Sequence, residues 1–321
     1  MNGYFIIKKA LTLIVMLFVV SIIVNSVLFV LPGDPAQIIL GINASEETLA
    51  NLRAELGLDK SFWVQYATWI GHIFTGQGSR SINYDIPVFS LIASRLAVTG
   101  PLALLAMVFS VIFAVPLGIY AARHQNRGGD LGVMALTQIG LAIPEFWLGI
   151  LLLLLFSVHL GIFSAGGFPG WSVSFWLSMK ALLLPGVSLG MIRASILTRL
   201  TRSSMLEVLR EDYVRTARSK GLRERTVIYV HCLRNALIPV LTILGLQFGQ
   251  LVAGSIIIEN VYHLPGLGRL LFQAIGQRDL PVIREVVLFM AAAVVLINFI
   301  IDLSYTYLDP TIQLEGERSK A

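Results

Sequence analysis

Long uncharged apolar runs alternate along this chain with short segments that hold nearly all of its charge. The first run, Ala10 to Leu31, follows Lys8 and Lys9 and has about the length that crosses a hydrocarbon core. Leu31-Pro-Gly-Asp-Pro35 ends it, because neither the prolines nor the glycine continue a helix. Five more spans are predicted: about Leu96 to Ala122, Leu131 to about Val158, about Ala181 to Leu200, Ala236 to Ile258, and about Val282 to Leu308. Lys and Arg gather in alternate connections, which places both termini in the cytoplasm. The expected fold is an all-α integral membrane protein with six transmembrane helices. Its parts are a cytoplasmic N-terminus with the first span (1–31), an extracytoplasmic helical region (32–95), a five-helix core (96–308) with a cytoplasmic loop (201–234), and a cytoplasmic tail (309–321).

The polar region after the first span carries two helix patterns. Ser45 is a good N-cap, Glu46 and Glu47 suit a first turn, and Leu49, Leu52 and Leu56 share a face before Gly57. Trp63, Tyr66, Trp69 and Ile70 predict a second amphipathic helix that lies on the membrane interface or packs on the bundle.

Composition agrees with the pattern. Only 13% of the 321 residues are charged against 56% hydrophobic, where a soluble domain carries roughly a quarter charged. The net charge of +5 lies in short loops beside apolar runs, so it reports topology rather than nucleic-acid binding. One cysteine, Cys232, excludes an intrachain disulfide. The first run is too long for a signal-peptide core and is expected to be retained as an anchor. No glycine-rich loop has P-loop spacing, so this chain cannot bind ATP by that device.

Residues 201 to 234 hold eight Lys/Arg and four Asp/Glu, the densest charge of the sequence. Within them, Arg210-Glu-Asp-Tyr-Val-Arg-Thr-Ala-Arg-Ser-Lys-Gly221 predicts a short helix. Asp212 would cap it, Arg218 and Lys220 would suit its C-terminal end, and Gly221 would close it. Tyr213 and Ala217 share a face, with Val214 beside them. The stretch reads as a docking element gripped by another protein, or as an ordinary basic loop.

Several stretches together resemble permease subunits of ATP-binding-cassette importers of the dipeptide/oligopeptide/nickel family. Asp212 to Gly221 followed by His231-Cys-Leu-Arg-Asn-Ala-Leu-Ile-Pro239 is similar to that group's cytoplasmic signature. It departs from the wider consensus at Arg215 and Thr216, where Glu-Ala is usual, and at Arg234, where proline is usual. Leu31-Pro-Gly-Asp-Pro-Ala36, Glu55-Leu-Gly-Leu-Asp59, Ile143-Pro-Glu-Phe-Trp-Leu-Gly149, Glu259 to Arg269, Arg278-Asp-Leu-Pro281 and Tyr307-Leu-Asp-Pro310 agree in order. Thr311 stands where a basic residue is usual, and Gly76-Gln-Gly-Ser-Arg-Ser81 is a poor match. The resemblance implies a type I importer permease fold in a bacterial inner membrane, carrying peptides or a related small solute. It implies a second related permease, two cytoplasmic ATPase subunits that bind ATP and Mg, and an extracytoplasmic substrate-binding protein. Catalysis and cofactors are not expected in this chain. Asp212, Tyr213, Arg215, Ala217, Arg218 and Gly221 would couple it to the ATPases. Rival readings are a stand-alone secondary transporter, for which no clear internal repeat is visible, and an intramembrane enzyme.

Two ionisable residues lie in predicted spans. Glu145 falls about fourteen residues into the third, roughly 20 Å deep at helical rise, and Arg193 falls in the fourth. Such groups face a cavity or a partner. Glu145 would line the pathway and attract a cationic group such as a peptide amino terminus, or it would pair with Arg193 or with backbone opened at Pro144. Gln247 and Gln250 line the pathway or bridge helices. Gly245 and Gly249 have the spacing for close helix approach. His159, His231 and His263 lack metal-site spacing, and no metal site is expected. Pro265, Gly266, Gly268 and Arg269 lie in an apolar outside loop. That loop is either a lip that meets the binding protein or a re-entrant packing hairpin.

Overall fold

Helices form the framework of the computed structural model, which describes residues 3–30, 35–41, 44–55, 57–76 and 78–308. The proposed stop at Leu31 to Asp34, the facial Leu56, and the closing Asp309-Pro310 with Thr311 and the tail lie outside them. The first span is α1 (Gly3–Val30), followed by α2 (Pro35–Leu40), α3 (Glu46–Glu55) and α4 (Phe62–Phe74). Ser45 caps α3 as expected, accepting the Thr48 N–H at 3.2 Å.

The core helices are longer than hydropathy alone predicts. α5 (Val88–Arg123) begins at Val88 rather than Leu96, because Val88, Leu91 and Ile92 continue the helix into an apolar cluster outside the central core. α8 (Phe175–Val208) starts at Phe175 rather than Ala181, behind an Ser174 N-cap that accepts the Leu177 N–H. The fifth span starts at a short turn, α10 (Glu224–Thr226), passes a wider π-type turn (Val227–Cys232), and continues as α11 (Leu233–Val261). Its polar start, Glu224-Arg-Thr, hides it from a hydropathy window. α12 (Leu267–Gln277) and α13 (Leu280–Leu308) complete the chain.

The third span is not one helix. α6 (Gly128–Ala142) and α7 (Glu145–Leu153, prolonged as a π-type turn to His159) meet at a 98° bend. Pro144 lacks an N–H and forces Ile143 into an extended conformation (φ −84°, ψ 125°), so the helix cannot run through. Among the described residues five helices are long and apolar enough to cross a membrane, and the bent pair makes a sixth when taken as one span.

α5 and α8 form the main packed pair, and small residues set their distance. A side chain at Gly190 would place its Cβ 2.7 Å from the Ala106 carbonyl oxygen, and Ser110 Oγ sits between the Ala106 and Gly190 carbonyls at 2.7 and 2.8 Å. The central core adds Leu251 and Ile258 of α11 to Leu102, Leu182 and Leu189. A Cβ at Gly245 would fall 2.5 Å from Ile301, and one at Gly249 3.4 Å from Val294. α11 therefore lies close on α13 along the glycine spacing, as expected. At one end of the bundle α4 packs on α1 and α13. At the other end sits α9 (Asp212–Ser219).

Candidate functional site

α9 is fixed by one face and open on the other. Val214 and Ala217 are buried with Ile119 of α5, Met205 of α8 and Ile228 of the π-type turn. Tyr213 is at the margin of this face rather than in it, 41% exposed, because its ring reaches out to accept a hydrogen bond from Asn235 Nδ2 (2.8 Å). Asp212 does not cap the helix. Glu211 occupies the N-cap position without a side-chain bond, and Asp212 lies in the first turn, 3.4 Å from Arg215 Nη1. Gly221 closes the segment in the left-handed region at φ +74°, where a Cβ would be strained. Arg218 forks onto Glu224 (Nη2–Oε1 2.9 Å, Nε–Oε2 3.3 Å), and that bond holds its guanidinium above its ordinary pKa. Arg210, Glu211, Asp212, Arg215 and Lys220 point outward.

The helix that carries α9 is tied to the broken span at two levels. Arg202 of α8 donates Nε and Nη2 to the two carboxylate oxygens of Asp130 on α6, each at 2.6 Å. Asp130 also accepts the Asn126 N–H at 2.9 Å and is almost fully buried. Arg199 Nη1 donates to Gln138 Oε1 at 3.0 Å. Beyond the bend, Arg193 Nη2 stands 3.5 Å from Glu145 Oε1, with the side chains only 13% and 21% exposed. This contact is too loose for a hydrogen bond, and Glu145 Oε1 and Arg193 Nε have no hydrogen-bond partner. Glu145 opens α7 at the bend, where free helix N–H groups favour a carboxylate. The depth expected from a continuous helix does not hold for it.

The two glutamines part company. Gln247 is buried on the stripe of α11 that holds Val240, Leu244 and Leu251, and neither of its amide atoms is bonded. Gln250 is exposed.

At the opposite end, the loop with Pro265, Gly266, Gly268 and Arg269 turns inward. Glu259, fully buried, accepts from Thr99 Oγ1 (2.7 Å) and from the Arg269 N–H (3.0 Å), while Thr99 Oγ1 accepts the Leu267 N–H (2.9 Å). The carboxylate thus meets the first turn of α12, and any side chain at Gly266 would collide with it. Tyr262 donates to the Gly149 carbonyl at 2.9 Å, which ties this loop to α7. A cavity of about 500 Å³ opens nearby, lined by Ser164, Gly167, Phe168, Leu177 and Lys180.

Sequence reading missed Asp130, Arg202, Thr99 and Glu259. Asp130, one residue before the predicted third span, was the visible signal, but its partner is 72 residues away.

Residues 114–314 match the family described as binding-protein-dependent transport system inner membrane component, and residues 3–103 match the N-terminal family of the same systems. The chain is 42% identical over 310 residues to a protein of Brucella suis biovar 1 provisionally named a peptide transport system permease, covering 97% of this chain and 99% of that one. It is 41% identical over 309 residues to the glutathione transport system permease protein GsiC of Salmonella choleraesuis, covering 96% and 98%. Among solved structures, the inward-facing MetNI methionine ABC transporter shares its fold at a TM-score of 0.57 and 19% identity, over 68% of this chain and 96% of that one.

Proposed function

The chain belongs to the inner-membrane components of binding-protein-dependent transport systems, the permease subunits of ATP-binding-cassette importers, and from that premise we propose that it forms half of a peptide-type translocation pathway. The solute class is a short peptide or a peptide-like molecule of glutathione size, in keeping with the names of its relatives. A second, related permease supplies the other half, two cytoplasmic ATPase subunits bind ATP and Mg, and an extracytoplasmic binding protein delivers the solute. Both termini are cytoplasmic. Family membership displaces the stand-alone transporter, which needs no such partners.

The observation that carries the coupling role is α9. Its apolar face is held by the π-type turn Val227–Cys232 and the ends of α5 and α8, while its charged face is free. A helix mounted this way transmits a push without bending, and a partner shifts the permease between states only through contacts that differ between them. Arg215 makes charge-assisted contacts in the ATPase groove, and Tyr213 and the Arg218–Glu224 fork stiffen the mount. Glu145 and Arg193 lie on the pathway at the bend of α6–α7, with Gln247 beside it on α11. Gln250 contributes from the outer surface of that helix. Pro265, Gly266, Gly268 and Arg269 set the outer lip against which the binding protein seats.

The deciding experiment is a mild-detergent pull-down of the chain with and without Asp212 to Gly221 replaced by a neutral linker. ATPase subunits should accompany the intact chain and vanish from the altered one while the companion permease stays. An intact chain that comes down alone and transports in proteoliposomes would overturn the reading.

A further inference from the structure

At the end of the bundle opposite α9, two buried donors lie side by side without an acceptor. Trp69 of α4 is 4% exposed, and its Nε1–H has no hydrogen-bond partner. The guanidinium of Arg284, on α13, lies 5.9 Å from the Trp69 ring centroid, and Arg284 Nε is likewise buried and unbonded. A contact of 3.5 Å from Arg284 Nη2 to Gln65 Oε1 is the guanidinium's one polar contact among the described residues. The adjacent acid does not neutralise it. Glu285 turns the other way along α13 and accepts the Ser79 N–H at 2.7 Å. Gln65 itself is committed through its amide to the Lys60 carbonyl at 2.9 Å.

An arginine half-sunk in an apolar corner without a counter-charge is costly, and each buried donor without an acceptor adds to the cost. A tetrahedral oxyanion seated in this corner would offer acceptors to both donors. It supplies several acceptor oxygens, matches the fork of a guanidinium, and reaches an indole N–H beside it.

The surroundings say where that anion comes from. The corner is the lipid-facing rim of the bundle. α1 exposes Ile14, Val15, Phe18, Val19 and Ile23, and α13 exposes Leu296 and Ile300 further along. α4 lies across this corner, held to α1 by a 2.7 Å hydrogen bond between Ser21 and Tyr66. It turns Trp63 outward at 65% exposure, with Phe74 also exposed. Exposed aromatic residues of this kind mark the headgroup level of a bilayer. We propose that Arg284 and Trp69 form a seat for the phosphate of a phospholipid headgroup, with its acyl chains running down the exposed sides of α1 and α13.

The test is native mass spectrometry of the purified full-length chain titrated with dioleoylphosphatidylglycerol, with dioleoylglycerol as the probe that lacks phosphate and inorganic phosphate as the soluble competitor. The wild type should retain one phosphatidylglycerol about tenfold more tightly than dioleoylglycerol. Arg284→Met should lose that preference, and Arg284→Lys should keep part of it. Equal retention by wild type and Arg284→Met overturns the proposal, as does equal retention of the two lipids by the wild type. Displacement by millimolar inorganic phosphate means a free-anion site and overturns it too. Should Arg284→Met fail to fold, Trp69→Phe and the wild-type lipid series decide, because the seat requires the indole N–H to strengthen phosphatidylglycerol binding and leave dioleoylglycerol binding unchanged.

Discussion

Asp130 on α6 and Arg202 on α8 grip each other through two hydrogen bonds of 2.6 Å, with the carboxylate almost completely out of solvent. This is the tightest ion pair among the described residues, and it joins the broken third span to the helix that leads directly into α9. Removing the charge of Asp130 leaves the Arg202 guanidinium, which is 22% exposed, without its charge-assisted bonds, at a cost of about 1–3 kcal/mol. Asp130→Asn should therefore lower the thermal unfolding midpoint of the purified protein by several degrees. A cycle with Arg202→Ala should show that the two effects are far from additive.

The two faces of α9 predict opposite phenotypes. Val214→Asp puts a charge among Ile119, Met205 and Ile228 and should loosen the helix from its mount, lowering both stability and ATPase retention. Arg215→Glu touches only the free face. Its stability should stay within about 0.5 kcal/mol of wild type, while transport-coupled ATP hydrolysis falls. Parallel melting curves and ATPase assays on the assembled complex separate the two.

Glu145 and Arg193 stand close but are not hydrogen-bonded, which leaves room for a solute to compete for either. Glu145→Gln keeps the shape and removes the charge. Uptake of peptides with a free amino terminus should drop more than uptake of their N-acetylated forms. Unchanged uptake of every solute would remove Glu145 from the pathway.

Thr99 serves Glu259 and the Leu267 N–H at once. Thr99→Val replaces the hydroxyl by a methyl of similar size and leaves a buried acceptor and a buried donor short of a partner. A loss of about 1–3 kcal/mol is expected. Amide hydrogen exchange should speed up at the start of α12 before it changes in α5 or α8.

Local and long-range causes divide what could be read in advance. Runs of apolar residues report burial in lipid, which depends on length and composition alone, so the sequence by itself determined that the chain crosses the membrane repeatedly. Ser45 and Gly221 were legible for a similar reason: a cap acts within one turn, and a left-handed turn depends on one residue's own sterics. Pro144 was visible in the sequence, but the third span was expected as one helix, and its 98° bend emerged only in the folded chain. Helix ends ran past the hydropathy limits for separate reasons: at Val88 an apolar cluster covers the extension, at Phe175 the Ser174 cap starts the helix early, and at Glu224 a polar turn leads into it.

Partner choice was out of reach of periodicity. Glu145 with Arg193 was one of several open pairings, whereas Asp130 with Arg202, Thr99 with Glu259 and Trp69 with Arg284 join residues more than 70 positions apart. Only the packed chain brings such groups together, because a charge or hydroxyl in a spacing pattern carries no record of which distant helix will close on it. The tertiary structure also decided that Val214, and not Tyr213, is buried with Ala217, since both fit a helix face and only the packing of the π-type turn with the ends of α5 and α8 chooses between them.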